Sequence, residues 1–117
     1  MLAKKYRLSH QDFQKFSDRG FYRQNDYFKF FICPNQLNFS RWAIVVGAHW
    51  SKSSVERHKI KRQLMNLIKD KKELLNLPYD IAIWPKPILK EKDFQFIKEK
   101  FEKAVALFLN QKNGPNP

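Results

Sequence analysis

The sequence contains few cysteines, few glycines and no long apolar run, and each shortage excludes a class of protein. The single cysteine, Cys33, allows neither an internal disulfide nor a cysteine pair for a metal ion. The three glycines, Gly20, Gly47 and Gly114, are too few and too far apart for a glycine-rich phosphate-binding loop. No apolar stretch approaches the length needed to cross a bilayer, so we expect no membrane partner.

Acidic residues are also scarce, and they are scattered. A nuclease that acts alone is expected to group carboxylates around Mg²⁺, but Asp26, Asp70 and Asp80 lie far apart along the chain. The three histidines show no metal-ligand spacing with one another or with Cys33. We therefore expect no catalytic residue and no metal ligand among the side chains of this protein.

Positive charge is abundant. The 117 residues include 23 Lys and Arg against 11 Asp and Glu, which gives a net charge of +12. Like charge opposes compaction, so an excess of this size is usually kept for a polyanion, with nucleic acid as the first candidate and an anionic membrane surface as the second. The alternative is a basic surface that serves only solubility.

Length and composition favour one domain. Hydrophobic residues make up 43% of the chain, enough for one modest core. We predict a single nucleic-acid-binding domain over residues 1–110 and a disordered tail over residues 111–117, which is polar and ends in Gly-Pro-Asn-Pro. The N-terminal residues lack the apolar run of a secretory signal, so the expected compartment is the cytoplasm.

We predict the element order αβββαβα, and hydrophobic periodicity marks six of its seven elements. A first helix begins near Ser9 and ends at Gly20. Further elements are predicted as strands at 27–32, 42–46 and 79–84, and as helices from 53 to about 75 and from about 91 to 110. The strand–helix–strand segment 42–84 implies a parallel pair. The fold class is α/β, an α+β two-layer sandwich in which helices cover one face of a small mixed sheet.

The strand at 27–32 alternates in an unusual way. Phe28, Phe30 and Ile32 point to one side, which we expect to be the core. The other side is predicted to carry Tyr27, Lys29 and Phe31. Aromatic rings beside a cation form an odd surface unless something stacks on them. The strand at 42–46 is almost continuously apolar, which predicts a strand covered on both faces.

The densest cluster of charge lies at the start of the second predicted helix. Residues 52–72 contain eight Lys or Arg against two acids, half of the net charge of the chain. Ser53 and Glu56 have capping-box spacing, which predicts a helix start. Cations at a helix N-terminus oppose the helix dipole, so a bound anion is expected there, although a solvated face is the alternative. The residues predicted to bind nucleic acid are Lys52, Arg57, His58, Lys59, Lys61 and Arg62.

These residues resemble a motif of the bacterial ribonuclease P protein component family, small-Ala-Val-x-Arg-Asn-Arg-x-Lys-Arg. Residues 53–62 read Ser-Ser-Val-Glu-Arg-His-Lys-Ile-Lys-Arg, so His58 stands at the Asn position of the motif. Residues 48–50, Ala-His-Trp, stand where the family has Ser-Lys-Lys. The resemblance covers about residues 4–110 and also rests on Arg7-Leu8, Asp12-Phe13, Gly20 and the strand that begins Tyr79-Asp80.

The resemblance implies a function. It implies a protein subunit of ribonuclease P that binds the catalytic RNA subunit and the 5′ leader of precursor tRNA. The subunit would assist the Mg²⁺-dependent endonucleolytic removal of that leader, as a monomer in the holoenzyme, with the RNA performing the chemistry and Mg²⁺ present only in the holoenzyme with RNA. It also implies a left-handed βαβ crossover, and a leader-binding cleft between the first helix and the sheet, lined by Phe13, Phe31, Lys29 and Arg7.

Two other functions are compatible with the sequence. A general RNA-binding or ribosome-associated module could use the same fold and charge without a role in tRNA cleavage. A free-standing nuclease is disfavoured by the scattered carboxylates. For Phe13, the alternative to a place in the cleft is an ordinary core position.

Overall fold

The computed structural model describes residues 2–9 and 20–109. The predicted first helix, Phe13 within it and the predicted tail lie outside the described residues, and so do their expected roles. Within the described ranges the chain forms one sheet with helices packed on it, the α+β sandwich that the sequence predicts.

The sheet has four strands in the order β1-β2-β4-β3. The strands are β1 (Phe21–Gln24), β2 (Phe28–Pro34), β3 (Arg41–Ile44) and β4 (Tyr79–Pro85). β2 is antiparallel to β1 and to β4, whereas β3 and β4 are parallel, which confirms the predicted parallel pair. The hand of the connection between β3 and β4 stays a prediction.

Among the described residues, two α-helices lie between β3 and β4, and a third follows β4. They are α1 (Ser54–Asp70), α2 (Lys72–Leu75) and α3 (Phe94–Leu109), with short 3₁₀ turns at Lys4–Tyr6 and Pro87–Glu91. The prediction of one helix from 53 to 75 is wrong at its end. The backbone of Lys71 is extended, and this break separates α2 from α1.

The break at Lys71 has a tertiary cause. α2 ends against the start of β3, where the hydroxyl of Ser40 donates to the Leu74 carbonyl at 2.7 Å and the amide of Ser40 donates to the Leu75 carbonyl at 3.0 Å. Leu74 is buried in the core. A straight continuation of α1 would give up the burial of Leu74 and leave the Ser40 groups unpaired, which costs more than one interrupted helical turn.

The core lies between the helices and one face of the sheet. Phe28, Phe30 and Ile32 are fully buried there, as the alternation of β2 predicts. The ring of Phe101, on α3, contacts Phe28 and Phe30 with centroids 5.8 and 6.4 Å apart. Burial of each such side chain contributes about 1.5–3 kcal/mol, so this aromatic cluster holds α3 on the sheet.

Two predictions about the strands are wrong. Tyr27 precedes β2 and packs on the edge of the core against Phe96, so it lies on the helix side rather than with Lys29 and Phe31. The strand predicted at 42–46 is β3, which lies at an edge of the sheet order and is not covered on both faces. It ends at Ile44, and Val45 is 41% exposed.

Candidate nucleic-acid interface

The start of α1 is held by a network of serine side chains. The Ser53 hydroxyl accepts from the amide of Glu56 at 3.3 Å, so Ser53 is the N-cap that the sequence predicts. The second half of the capping box is absent, because the Glu56 carboxylate accepts from the Ser51 hydroxyl. That hydroxyl in turn accepts from the Ser53 amide at 3.1 Å. Ser51 thus stands between the two members of the expected pair and ties Glu56, the one acid of the first turn, to the preceding loop.

Arg57 is half-buried at this helix start. Its Nη1 donates to the carbonyl oxygen of Ser51 at 2.6 Å, which turns the guanidinium back toward the loop. A guanidinium carries five N–H donors, so one bond to a carbonyl fixes its position and leaves donors for a phosphate. Arg57 is therefore oriented by the protein before any RNA binds.

The other predicted RNA-binding residues lie on two sides of α1. His58, Lys61 and Arg62 line one groove of about 440 Å³ together with Met65 and Asn66. Lys59 lines a different cleft of about 270 Å³, between α1, α3 and the 3₁₀ turn at Pro87–Glu91. Lys52 is exposed just before the helix. The structure brings three of the six residues into one groove and gives the helix a second cationic side.

The side chain of Trp50 has a different role from the lysine of the family motif. Where the family pattern has a lysine, Trp50 is 3% exposed and belongs to the hydrophobic core. Its Nε1 has no hydrogen-bond partner among the described residues. His49 is exposed beside it. Trp50 therefore anchors the loop before α1 and does not replace the missing surface cation.

Aromatic residues and a lysine cluster on the sheet face opposite the helices. We define the sheet platform as Tyr22, Lys29, Phe31 and Trp84. The Tyr22 ring lies 4.8 Å from Phe31 and 6.3 Å from Trp84, between centroids. The Lys29 ammonium lies 4.6 Å from the centre of the Tyr22 ring and 5.5 Å from that of Trp84. A cation between two aromatic rings is an arrangement suited to single-stranded nucleic acid.

Exposure differs within the sheet platform. Tyr22 is 52% exposed, whereas Phe31 is only 3% exposed and packs against Tyr22. Phe31 therefore supports the surface, and Tyr22, Lys29 and Trp84 form its accessible part. The sequence analysis missed Tyr22 and Trp84. The alternation of β4, in which Trp84 lies on the same face as Asp80 and opposite Ile83, was the available signal.

Arg7 lies away from the sheet platform. It forms a parallel bridge with Trp42 on β3, and the amide of the following Leu8 donates to the Trp42 carbonyl at 2.8 Å. In the sheet order, β3 and β4 separate Arg7 from the strand that carries Lys29. The described residues of the predicted leader cleft therefore do not all lie together. Lys29 and Phe31 lie near one edge of the sheet, and Arg7 lies beyond the other edge.

An ion pair secures the same sheet face. Arg41 donates from Nε and Nη2 to the two carboxylate oxygens of Asp80 at 2.9 and 2.6 Å. Asn35 Nδ2 donates to the same carboxylate at 2.9 Å. Asp80 is buried, so its charge needs these partners. The pair joins the parallel strands β3 and β4, and its role is structural.

Two kinds of feature are missing from the described residues. Over residues 2–9 and 20–109, no three His, Cys, Asp or Glu side chains come together in a group that could hold a metal ion. Within the same ranges, no helix has the length and apolar character needed to span a bilayer.

Comparison with known proteins identifies the family. The family model for ribonuclease P matches residues 2–108. The ribonuclease P protein component of Mesoplasma florum is 28% identical over 110 residues, which cover 93% of this chain and 99% of that protein. The solved RNase P protein of Thermotoga maritima superposes with a TM-score of 0.75 at 28% identity, covering 85% of this chain and 94% of that one.

A second solved structure agrees more closely in shape. A Staphylococcus aureus RNase P protein mutant with defective mRNA degradation activity superposes with a TM-score of 0.81 at 26% identity, covering 89% of this chain and 88% of that one. Sequence and fold thus agree over nearly the whole described chain. This chain belongs to the bacterial ribonuclease P protein component family, the protein part of a ribonucleoprotein endoribonuclease that processes tRNA.

Proposed function

We propose that this protein binds the ribonuclease P RNA through α1 and the 5′ leader of precursor tRNA on the sheet platform, and so assists removal of the leader. One copy would act in each holoenzyme, in the cytoplasm. Family membership and the net charge of +12 support a partnership with RNA. The observation that carries the leader assignment is the placement of Lys29 between the rings of Tyr22 and Trp84.

On α1, the contribution to RNA binding is electrostatic. His58, Lys61 and Arg62 share one groove, and Arg57 is held at the helix start by the Ser51 carbonyl. Cations that neutralise phosphates release counterions, so binding through this helix weakens as salt rises. Because Arg57 is already oriented, little side-chain entropy is lost when it meets a phosphate.

On the sheet, the contribution is stacking. Tyr22 offers half of its surface to solvent. The ammonium of Lys29 lies beside this ring, where it would contact the phosphate of a nucleotide stacked on Tyr22. Stacking of a base on an aromatic side chain is worth about 1–3 kcal/mol and tolerates any base. This suits a leader, whose sequence differs from one precursor tRNA to another.

The chemistry of cleavage belongs to the RNA in this proposal. In the holoenzyme, Mg²⁺ bound with RNA would supply the activated water and the stabilisation of the leaving oxygen. The residues of this chain hold the two RNAs together and lower the repulsion between their phosphates.

The alternative is a general RNA-binding module with no role in tRNA cleavage. Such a module would use α1 in the same way but would be indifferent to the leader. The Staphylococcus aureus relative is a mutant with defective mRNA degradation activity. A control for cleavage by the protein alone is therefore necessary.

Reconstitution tests the proposal. Precursor tRNA is incubated with the cognate ribonuclease P RNA at limiting Mg²⁺, with and without this protein, and the protein alone is incubated with precursor tRNA and with an mRNA. We expect leader removal to be stimulated only when both subunits are present. Stimulation should be larger with a leader-bearing precursor than with one whose leader is a single nucleotide. A folded protein that gives no stimulation with its cognate RNA contradicts the proposal.

A further inference from the structure

A second aromatic and cationic cluster lies on the helix side of the sheet. We define the edge platform as Tyr27, Lys92, Phe96 and Lys100. The rings of Tyr27 and Phe96 meet edge to face with centroids 5.3 Å apart, and both are half-buried. The Lys100 ammonium lies 5.3 Å from the Tyr27 ring centre and 5.2 Å from that of Phe96, and Lys92 lies 5.0 Å from Phe96.

We propose that the edge platform is a second binding site for single-stranded RNA, which continues the sheet platform around the end of the sheet. It would hold leader nucleotides that extend beyond those stacked on Tyr22 and Trp84. This inference rests on the proposed function, because the sheet platform must first hold a leader.

The charges around the edge platform favour a phosphate partner. Neither Lys92 nor Lys100 makes an ion pair with any described residue. Asp93 and Glu99 lie nearby, but the hydrogen bonds that they accept come from the amide of Phe96 at 2.8 Å and the side chain of Gln95 at 3.2 Å rather than from these lysines. Lysines over exposed rings can also be a simple surface feature. Here Lys100 lies over both rings and Lys92 over one of them, which makes a polyanion with flat bases the fitting partner.

The two platforms are close together at one end of the sheet. Tyr27 and Lys29 are separated by Phe28 alone, so their backbones lie about 7 Å apart at the rise of a strand. Lys86 joins the two sides, because its amide donates to the Tyr27 carbonyl at 2.9 Å and its ammonium donates to the Gln24 side chain at 2.9 Å. An RNA strand that leaves Trp84 therefore meets Lys86 first and then the edge platform.

Binding of RNA would replace the cation–π contacts of the edge platform with stronger contacts. A stacked base contributes more than an exposed cation–π pair does, and the displaced ammonium can contact the phosphate of the same nucleotide. Lys92 and Lys100 need move only their flexible side chains for this exchange. The backbone of α3 would stay in place, since the other face of the helix is buried in the core.

Leader length separates the two sites. Single-strand sites span about 4 to 16 nucleotides, so the reconstituted holoenzyme is titrated with precursor tRNAs whose leaders have about 4 and about 16 nucleotides. The variants are Lys92→Gln with Lys100→Gln, and Phe96→Leu. The charge-matched control is Lys4→Gln with Lys103→Gln, two exposed lysines that lie outside α1 and outside both platforms.

We expect each variant to weaken binding of the long-leader substrate by about 5-fold or more and to leave the short-leader substrate unchanged. The double lysine variant should also lower the salt slope for the long leader by about 1.4, at 0.7 for each phosphate contact to a single strand. Equal losses in the charge-matched control, or a long leader that binds no more tightly than a short one, overturn the edge platform alone. If neither leader binds more tightly than a leader of a single nucleotide, the proposed function itself is overturned.

Discussion

Gly20 lies directly against the ring of Phe31, so close that a Cβ atom at position 20 would overlap the ring carbons. Phe31 also packs against Tyr22 and is almost fully buried, so the ring has little room to move away. A glycine at position 20 is thus what allows Phe31 to support the sheet platform from below.

Gly20→Ala should therefore destabilise the protein. Overpacking of this kind costs about 1–3 kcal/mol, because either the Phe31 ring or the backbone at residue 20 must shift. The free energy of unfolding in urea measures the loss. Gly47→Ala is the matched control, since its Cβ would meet only the exposed His49 side chain, at 3.2 Å and beyond. Equal losses for the two variants would contradict the close packing of Gly20.

Asp80→Asn should weaken the joint between β3 and β4. The change removes the buried charge that pairs with the Arg41 guanidinium between these two strands, at a cost of about 3 kcal/mol. Glu102→Gln breaks the exposed contact with Lys71 and should change the free energy of unfolding by no more than about 0.5 kcal/mol. Denaturant titration of both variants checks the contrast, and a stable Asp80→Asn protein would refute it.

Arg57→Ala combined with Lys61→Ala should weaken binding to the ribonuclease P RNA while the fold stays intact. Loss of the bond from Arg57 to the Ser51 carbonyl costs about 1 kcal/mol of stability, which a folded domain tolerates. The slope of log affinity against log salt should fall by about 1.8 if each cation contacts one phosphate of a duplex. An unfolded double mutant would contradict the expected tolerance of the fold. An unchanged slope in a folded double mutant would show that α1 is not the RNA-binding helix.

Tyr22→Ala should weaken holoenzyme binding to a leader-bearing precursor by about 5-fold or more, since one stacking surface is lost. Affinity for mature tRNA should not change. Tyr22→Phe keeps the ring and should bind like the parent protein, which separates stacking from any contact of the hydroxyl group. If Tyr22→Phe loses as much affinity as Tyr22→Ala, stacking is not the reason for the loss.

Local sequence patterns predicted several features correctly. The spacing of Ser53 and Glu56 marks the start of α1. The alternation of Phe28, Phe30 and Ile32 marks the core side of β2. These predictions succeed because a helix or strand repeats its exposure at a fixed period, so residues close in sequence carry the whole signal.

Features that depend on distant partners could not be predicted in this way. Periodicity alone placed Tyr27 on the wrong side of the sheet, because its position depends on Phe96, which is far away in sequence. Trp50 stands at the position of a lysine in the family motif, yet it fills the core. The break at Lys71 depends on Ser40, whose hydrogen bonds hold the end of α2.

The amino-acid sequence by itself determined the charge of this protein, the amphipathic helices, the core face of β2 and the motif that marks its family. Tertiary structure alone decided which residues meet across the sheet. Tyr22, Lys29 and Trp84 come from three strands, and they form one surface because β2 lies between β1 and β4. Strand order is set by the total free energy of packing helices and strands together, and no local run of residues encodes that sum.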